Sequence, residues 1–109
     1  MEFINKIELQ GIVGYVNTNK VADTTVARFS VVTEHAYTDK EGSAVIDTTW
    51  HQCTAWESEK NKISNLKRGA WVHLVGRIRV YRFVNADGTE RQGIETIVNE
   101  VEVIPTETE

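Results

Sequence analysis

The chain has 109 residues, 40% of them apolar and 26% charged, with one cysteine and a formal net charge of −4. That length holds one domain with one modest core, and the composition excludes a disordered chain. No apolar run reaches the roughly 20 residues that cross a bilayer as a helix. The opening Met1-Glu2-Phe3-Ile4-Asn5-Lys6 lacks the features of a secretory signal, so a cytoplasmic location is expected, with no membrane partner. The lone Cys53 leaves no intrachain disulfide and no cysteine cluster for zinc.

Strand-like segments dominate. The first runs from about Asn5 to Val16, where Ile7 and Leu9 alternate before Gly11-Ile12-Val13-Gly14. Glycines inside a strand mark a bulge or bend, which a small barrel needs in order to close. The second strand is expected from about Thr25 to His35, followed by the turn-rich Asp39-Lys40-Glu41-Gly42-Ser43. The third runs from about Val45 to Trp56. The period then changes: Ser58 to Lys67 places Ile63 and Leu66 three apart, with Ser58 as N-cap and Gly69 as the stop, which predicts one short helix. The fourth strand is Trp71 to Val84, and Asn85-Ala86-Asp87-Gly88 is a hairpin turn. The fifth runs from about Gly93 to Ile104, and Pro105 opens a frayed tail. The order β-β-β-α-β-β predicts an all-β domain with one short helix over residues 1–104, then a short tail over 105–109; it fits a five-stranded Greek-key barrel of OB type, while on order alone an SH3-like barrel or a split sheet fits as well.

The charge is segregated. Residues 60–86 hold seven basic side chains (Lys60, Lys62, Lys67, Arg68, Arg77, Arg79 and Arg82) and no acidic one, whereas residues 92–109 hold five glutamates and no basic residue. Binding follows local potential rather than the mean charge. Strand alternation sharpens this. In the third strand Trp50, Gln52, Thr54 and Trp56 share one side, and His51, Cys53 and Ala55 the other. In the fourth, Val72, Leu74, Ile78 and Val80 form a plain core face, opposite Trp71, His73, Val75, Arg77, Arg79, Tyr81 and Phe83. Rings interleaved with cations on one sheet surface suit unpaired nucleotides, whose bases stack while their phosphates need positive charge.

Catalysis finds little footing. His35, His51 and His73 lie in separate strand regions without metal-ligand spacing, and no Gly-rich phosphate loop or nucleophile elbow is present. No metal and no cofactor are expected.

An ordered set of short pieces resembles the DNA-binding domain of bacterial single-stranded-DNA-binding proteins. The pieces are Asn5-Lys6-Ile7 with Gly11 and Gly14, Val26-Ala27-Arg28-Phe29-Ser30 leading to Thr33-Glu34, and Thr49-Trp50-His51. They continue with Leu66-Lys67-Arg68-Gly69, Gly76-Arg77-Ile78-Arg79, Asp87-Gly88 with Arg91, and Glu95 to Asn99. The resemblance implies sequence-tolerant binding and protection of single-stranded DNA in replication, repair or recombination, without enzymatic activity, by a homotetramer built as a dimer of dimers. It places the stacking aromatics at Tyr37, Trp50, Trp56 and Phe83, and the phosphate contacts at Lys6, Lys40, Arg68, Arg79 and Arg82. It also implies a subunit contact at His51, extended here to Trp71 and His73.

Three departures stand out. Tyr15 to Thr24 is shorter than the corresponding family segment and lacks its Asp-Pro-Glu start and Gly-rich turn. Trp71, Val75 and Arg77 are unusual for their places, which points to an altered subunit contact. The chain ends at Ile104-Pro105-Thr106-Glu107-Thr108-Glu109 without the family's long linker and acidic tip, so tail-dependent protein partners are not expected. The competing reading is a primosome-type OB module that docks a protein on the same face. A small nuclease centred on Asp87, Glu90 and Arg91 is a third.

Overall fold

Alternation of apolar and polar residues along each strand gives every strand one face to bury, and five such strands close on themselves. The computed structural model describes residues 1–59 and 61–106. Its strands are β1 (Ile7–Val21), β2 (Thr24–Thr38), β3 (Ala44–Trp56), β4 (Trp71–Val84) and β5 (Glu90–Val103), in a closed barrel ordered β1-β2-β3-β5-β4. This is the expected OB-type barrel, with strands up to four residues longer than the sequence signals marked. Phe29, Leu74, Val13, Val31 and Val72 are its most deeply buried large side chains, each contributing roughly 1.5–3 kcal/mol by leaving water. Ala27 and Ala55 face each other across β2 and β3, both fully buried.

The closing seam is short. Among the described residues β3 and β5 pair in parallel at Cys53↔Thr96 and Thr54↔Ile97. Beyond them Asn61, which follows β3 by a short stretch, reaches the β5 backbone. The buried Asn61 side chain donates from Nδ2 to the Asn99 carbonyl (3.1 Å), and its Oδ1 accepts the Val101 N–H (3.0 Å). One amide thus stands in for a missing strand at the β5 backbone.

That role explains why the expected helix over Ser58–Lys67 does not form. The structure has only a 3₁₀ turn at Ile63–Asn65; Lys60, part of the expected helix, lies outside the described residues. Ser58 Oγ accepts the Asn61 N–H at 3.1 Å but caps no helix, since the 3₁₀ turn has Lys62 at its N-cap and no side-chain cap bond. The Ile63 N–H, however, goes to the Glu57 carboxylate at 2.9 Å, and Asn61 is committed to β5. Asn and Ser compete well with helical hydrogen bonds, and two apolar residues do not outweigh them.

A second correction concerns β4. Val72 and Leu74 are core residues, but Ile78 and Val80, expected on the same core face, are 42% and 55% exposed. Between Val75 and Gly76 the register against β5 jumps from Glu100 to Val98, leaving Asn99 as a bulge. Beyond it β4 and β5 continue as a hairpin arm with no opposing layer. The arm ends in the expected turn: Gly88 sits at φ 84° and donates its N–H to the Asn85 carbonyl (2.9 Å). Hydrogen bonds from Thr89 hold the Asp87 carboxyl below its usual range. A β2–β3 arm ends similarly at Asp39–Ser43, where Asp39 Oδ1 accepts the Glu41 and Ser43 N–H groups.

Two outcomes follow. Asn61→Ala leaves a buried N–H and a buried carbonyl on β5 unpaired, so the unfolding free energy in urea should drop by about 2–3 kcal/mol; an unchanged midpoint would remove Asn61 from the seam. Burial pushes the Cys53 thiol up to about 12, so at pH 8 a thiol reagent should label the native protein only as fast as it opens. Immediate labelling in native buffer would contradict that burial.

Candidate nucleic-acid interface

Because paired residues share a face, the register fixes which side chains surround the barrel's outer surface. On β2–β3 the pairs Val32↔Trp50, Ser30↔Gln52 and Arg28↔Thr54 point outward, while Phe29↔Cys53 and Ala27↔Ala55 point in. Trp50 and Trp56, 57% and 45% exposed, therefore stand on the same outer face. Trp50 lies over Gly14: a Cβ there would fall 2.6 Å from Trp50 Cζ3 and 2.5 Å from Ser30 Oγ. The ring rests on bare backbone with its other face open.

Beside it is a groove of about 1000 Å³ lined by Trp50, Tyr15, Gln52, Lys67 and Arg68. The two cations arrive through a tight turn. The Ala70 N–H donates to the Lys67 carbonyl (3.0 Å), with Gly69 at φ 89° in the third position, as in a type II turn. Bonds from the Gly69 N–H to the Val13 carbonyl (2.8 Å) and from the Val13 N–H to the Ala70 carbonyl (2.9 Å) fasten that turn to β1. Arg68 is thereby set at the rim of the Trp50 groove.

The β4–β5 arm supplies the second half. Arg79, Tyr81 and Phe83 alternate along its outer face. Arg79 Cζ is 5.7 Å from the Tyr81 ring centroid, and the Tyr81 and Phe83 rings are 6.0 Å apart. Tyr81 lies across Gly93, where a Cβ would come within 2.4 Å of its ring. Arg79 Nη1 is 2.6 Å from Glu95 Oε1, and Glu95 Oε2 accepts the Thr54 hydroxyl at 3.0 Å. A cavity of about 370 Å³ joins this arm to β3; Tyr15 and Gln52 line it as well as the Trp50 groove. The two hollows form one trough, with the Tyr15 hydroxyl bonded to Gln52 Oε1 at their junction.

Not every expected residue joins the trough. Trp50, Phe83, Arg68 and Arg79 line it or flank it, and Trp56 shares the outer face of β3. Tyr37 pairs with Val45 and shares the parity of His51 and Cys53, so it stands on the reverse of the β2–β3 arm, 6.1 Å from the His35 ring. Arg82 shares the reverse face of the β4–β5 arm with Ile78 and Val80, 3.3 Å from Glu90. Lys40 is at the tip of the β2–β3 arm. Lys6 precedes β1 beside Asn5, whose side-chain amide holds the Ile78 backbone through bonds of 2.8 and 2.9 Å.

The three expected contact residues do not share a surface. His51, on the inner parity of β3, has Nε2 2.9 Å from Thr33 Oγ1, and partial burial lowers its pKa from 6.5. Trp71 and His73 lie instead on the outside of the β1–β4–β5 wall, paired with Ile12 and Gln10, where His73 Nε2 is 2.6 Å from Glu8.

Four trough residues escaped selection from the sequence. Tyr15 is turned outward where the β1–β2 register shifts between Val13 and Val16, a bulge that alternation does not announce. Gln52 and Tyr81 stand on the expected faces, but neither is singled out there as a contact residue. Glu95 read as part of an acidic run.

Residues 4–104 match the Single-strand binding protein family. A single-stranded DNA-binding protein of Neisseria meningitidis serogroup A is 32% identical over 80 residues, covering 72% of this chain and 46% of its own length. One from Xanthomonas campestris pv. campestris is 27% identical over 105 residues, covering 93% and 60%. The chain thus spans about half the length of the curated relatives it matches. Two solved structures share the fold. A Plasmodium falciparum SSB in complex with ssDNA has a TM-score of 0.81 at 24% identity, covering 95% of this chain and 96% of that one. A small single-stranded DNA-binding protein from Streptomyces coelicolor has a TM-score of 0.71 at 20% identity, with the same coverage.

Gly14→Ala should push Trp50 off its backbone bed and shift tryptophan emission, at a cost to stability of about 1 kcal/mol. An unmoved emission spectrum would show that Trp50 does not rest there.

Proposed function

The chain belongs to the Single-strand binding protein family, and from that premise we propose that it binds and protects single-stranded DNA during replication, repair or recombination. The observation that carries this reading is the trough, where the exposed rings of Trp50 and Phe83 and the half-buried ring of Tyr81 are interspersed with Arg68 and Arg79. Each base stacked on a ring contributes about 1–3 kcal/mol whatever its identity. Each phosphate met by a cation releases counterions, so affinity falls with salt by about 0.7 in log–log slope per contact. The net charge of −4 fits the same picture, since an otherwise anionic surface repels the strand everywhere except the trough.

We place its action in the cytoplasm, as a homotetramer. The support for self-association is the outer face of β1–β4–β5, where Trp71 is 41% exposed and Val75 is partly covered. Among the described residues no helix is long and apolar enough to cross a membrane.

Oligo-dT should quench tryptophan fluorescence, and rising salt should reverse it. Trp50→Ala and Phe83→Ala should each weaken binding about 5- to 150-fold for every sequence alike, and Arg68→Ala should flatten the salt slope by about 0.7. Light scattering on the same samples gives the subunit number. Absence of quenching at low salt by a long oligo-dT would end this reading.

A further inference from the structure

Glu95 is a carboxylate set among the cations and rings of a surface proposed to receive a polyanion. The inference drawn from it rests on that single-strand reading. A carboxylate repels phosphates, so a strand crossing this point turns its bases toward Glu95. The side chain is 16% exposed and held from two sides, by Arg79 Nη1 at 2.6 Å from Oε1 and by the Thr54 hydroxyl at 3.0 Å from Oε2. Each carboxylate oxygen accepts about two hydrogen bonds, so one position remains on each.

The carboxylate lines the cavity of about 370 Å³ that opens past the two β3–β5 pairs. Its neighbours there are chiefly donors. Gln52 has its carbonyl oxygen occupied by the Tyr15 hydroxyl, which leaves its NH₂ group to donate, and Arg28 contributes an exposed guanidinium. Tyr81, laid across Gly93, supplies a flat wall.

We propose that this cavity is a base-reading subsite selective for guanine. Among the four DNA bases, guanine alone carries two neighbouring nitrogen donors, N1–H and the N2 amino group, which match the two remaining acceptor positions of Glu95. Its O6 and N7 acceptors suit the Gln52 and Arg28 donors. Adenine and cytosine set a ring-nitrogen acceptor beside their amino group, and that lone pair would face a carboxylate oxygen. Thymine offers one N–H between two carbonyls. A base that leaves the remaining acceptor positions of Glu95 or the neighbouring donors unmatched is rejected more strongly than one that merely fits poorly.

The test uses short oligo-dT strands of equal length carrying one central dG, deoxyinosine, dC or dA, titrated by tryptophan quenching on the full chain. A single dG should tighten binding about tenfold over plain dT. Deoxyinosine, which lacks the N2 amino group, should lose that gain without any change to the protein. Glu95→Gln offers an amide in place of the acceptor pair and should abolish the dG preference, while oligo-dT binding strengthens because a negative charge has left the trough. Equal affinity of the dG and dT strands for the unaltered chain would overturn the subsite and leave single-strand binding intact. A dG preference surviving in Glu95→Gln, or retained by deoxyinosine, would overturn it as well. If no strand quenches at all, single-strand binding itself is lost.

Discussion

Closure of the barrel is the constraint on which everything else depends. A pleated strand has two sides, and closing five strands into a ring commits one to the interior, where Phe29, Leu74 and Val72 fill the space. The other side is then forced outward, and on β3 and β4 that side carries the tryptophans and arginines. The ring is completed at its weakest point by two parallel pairs and the Asn61 amide. Because β3 and β5 meet so briefly, they diverge beside Gln52 and Glu95, and the cavity in the trough is the space that divergence leaves.

What could be read from the sequence was what depends on period and turn chemistry. The ends of β4 at Trp71 and Val84, the Asp-Gly turn and the outward face of β3 all follow from local rules and match the structure. What could not be read depends on partners remote in the chain. Asn61 is held by β5 backbone about 40 positions away, and that commitment removed the helix. Ile78 and Val80 continue a core pattern past the point where the core ends, because the bulge at Asn99 is invisible to strand parity. Tyr37 and Arg82 were assigned by resemblance to a surface, and only the register shows that each turns its back on the trough.

Electrostatics divides the exterior. Lys67, Arg68 and Arg79 gather at the trough, whereas Glu8 and Glu102 flank His73 on the outside of β1–β4–β5. At physiological salt such fields fade within about 8 Å, so neither side cancels the other. A negatively charged protein can thus present a positive channel, which explains why the net charge alone is a poor guide to its partners.

The placement of Tyr37 has a mechanical consequence. Trp50 and Tyr37 occupy opposite sides of one two-stranded ribbon, so a polymer touching both must go around its edge. Duplex DNA, with a persistence length of about 50 nm, resists a turn of that radius, whereas a lone strand follows it readily. Curvature alone, before any bond is formed, would then sort flexible nucleic acid from stiff.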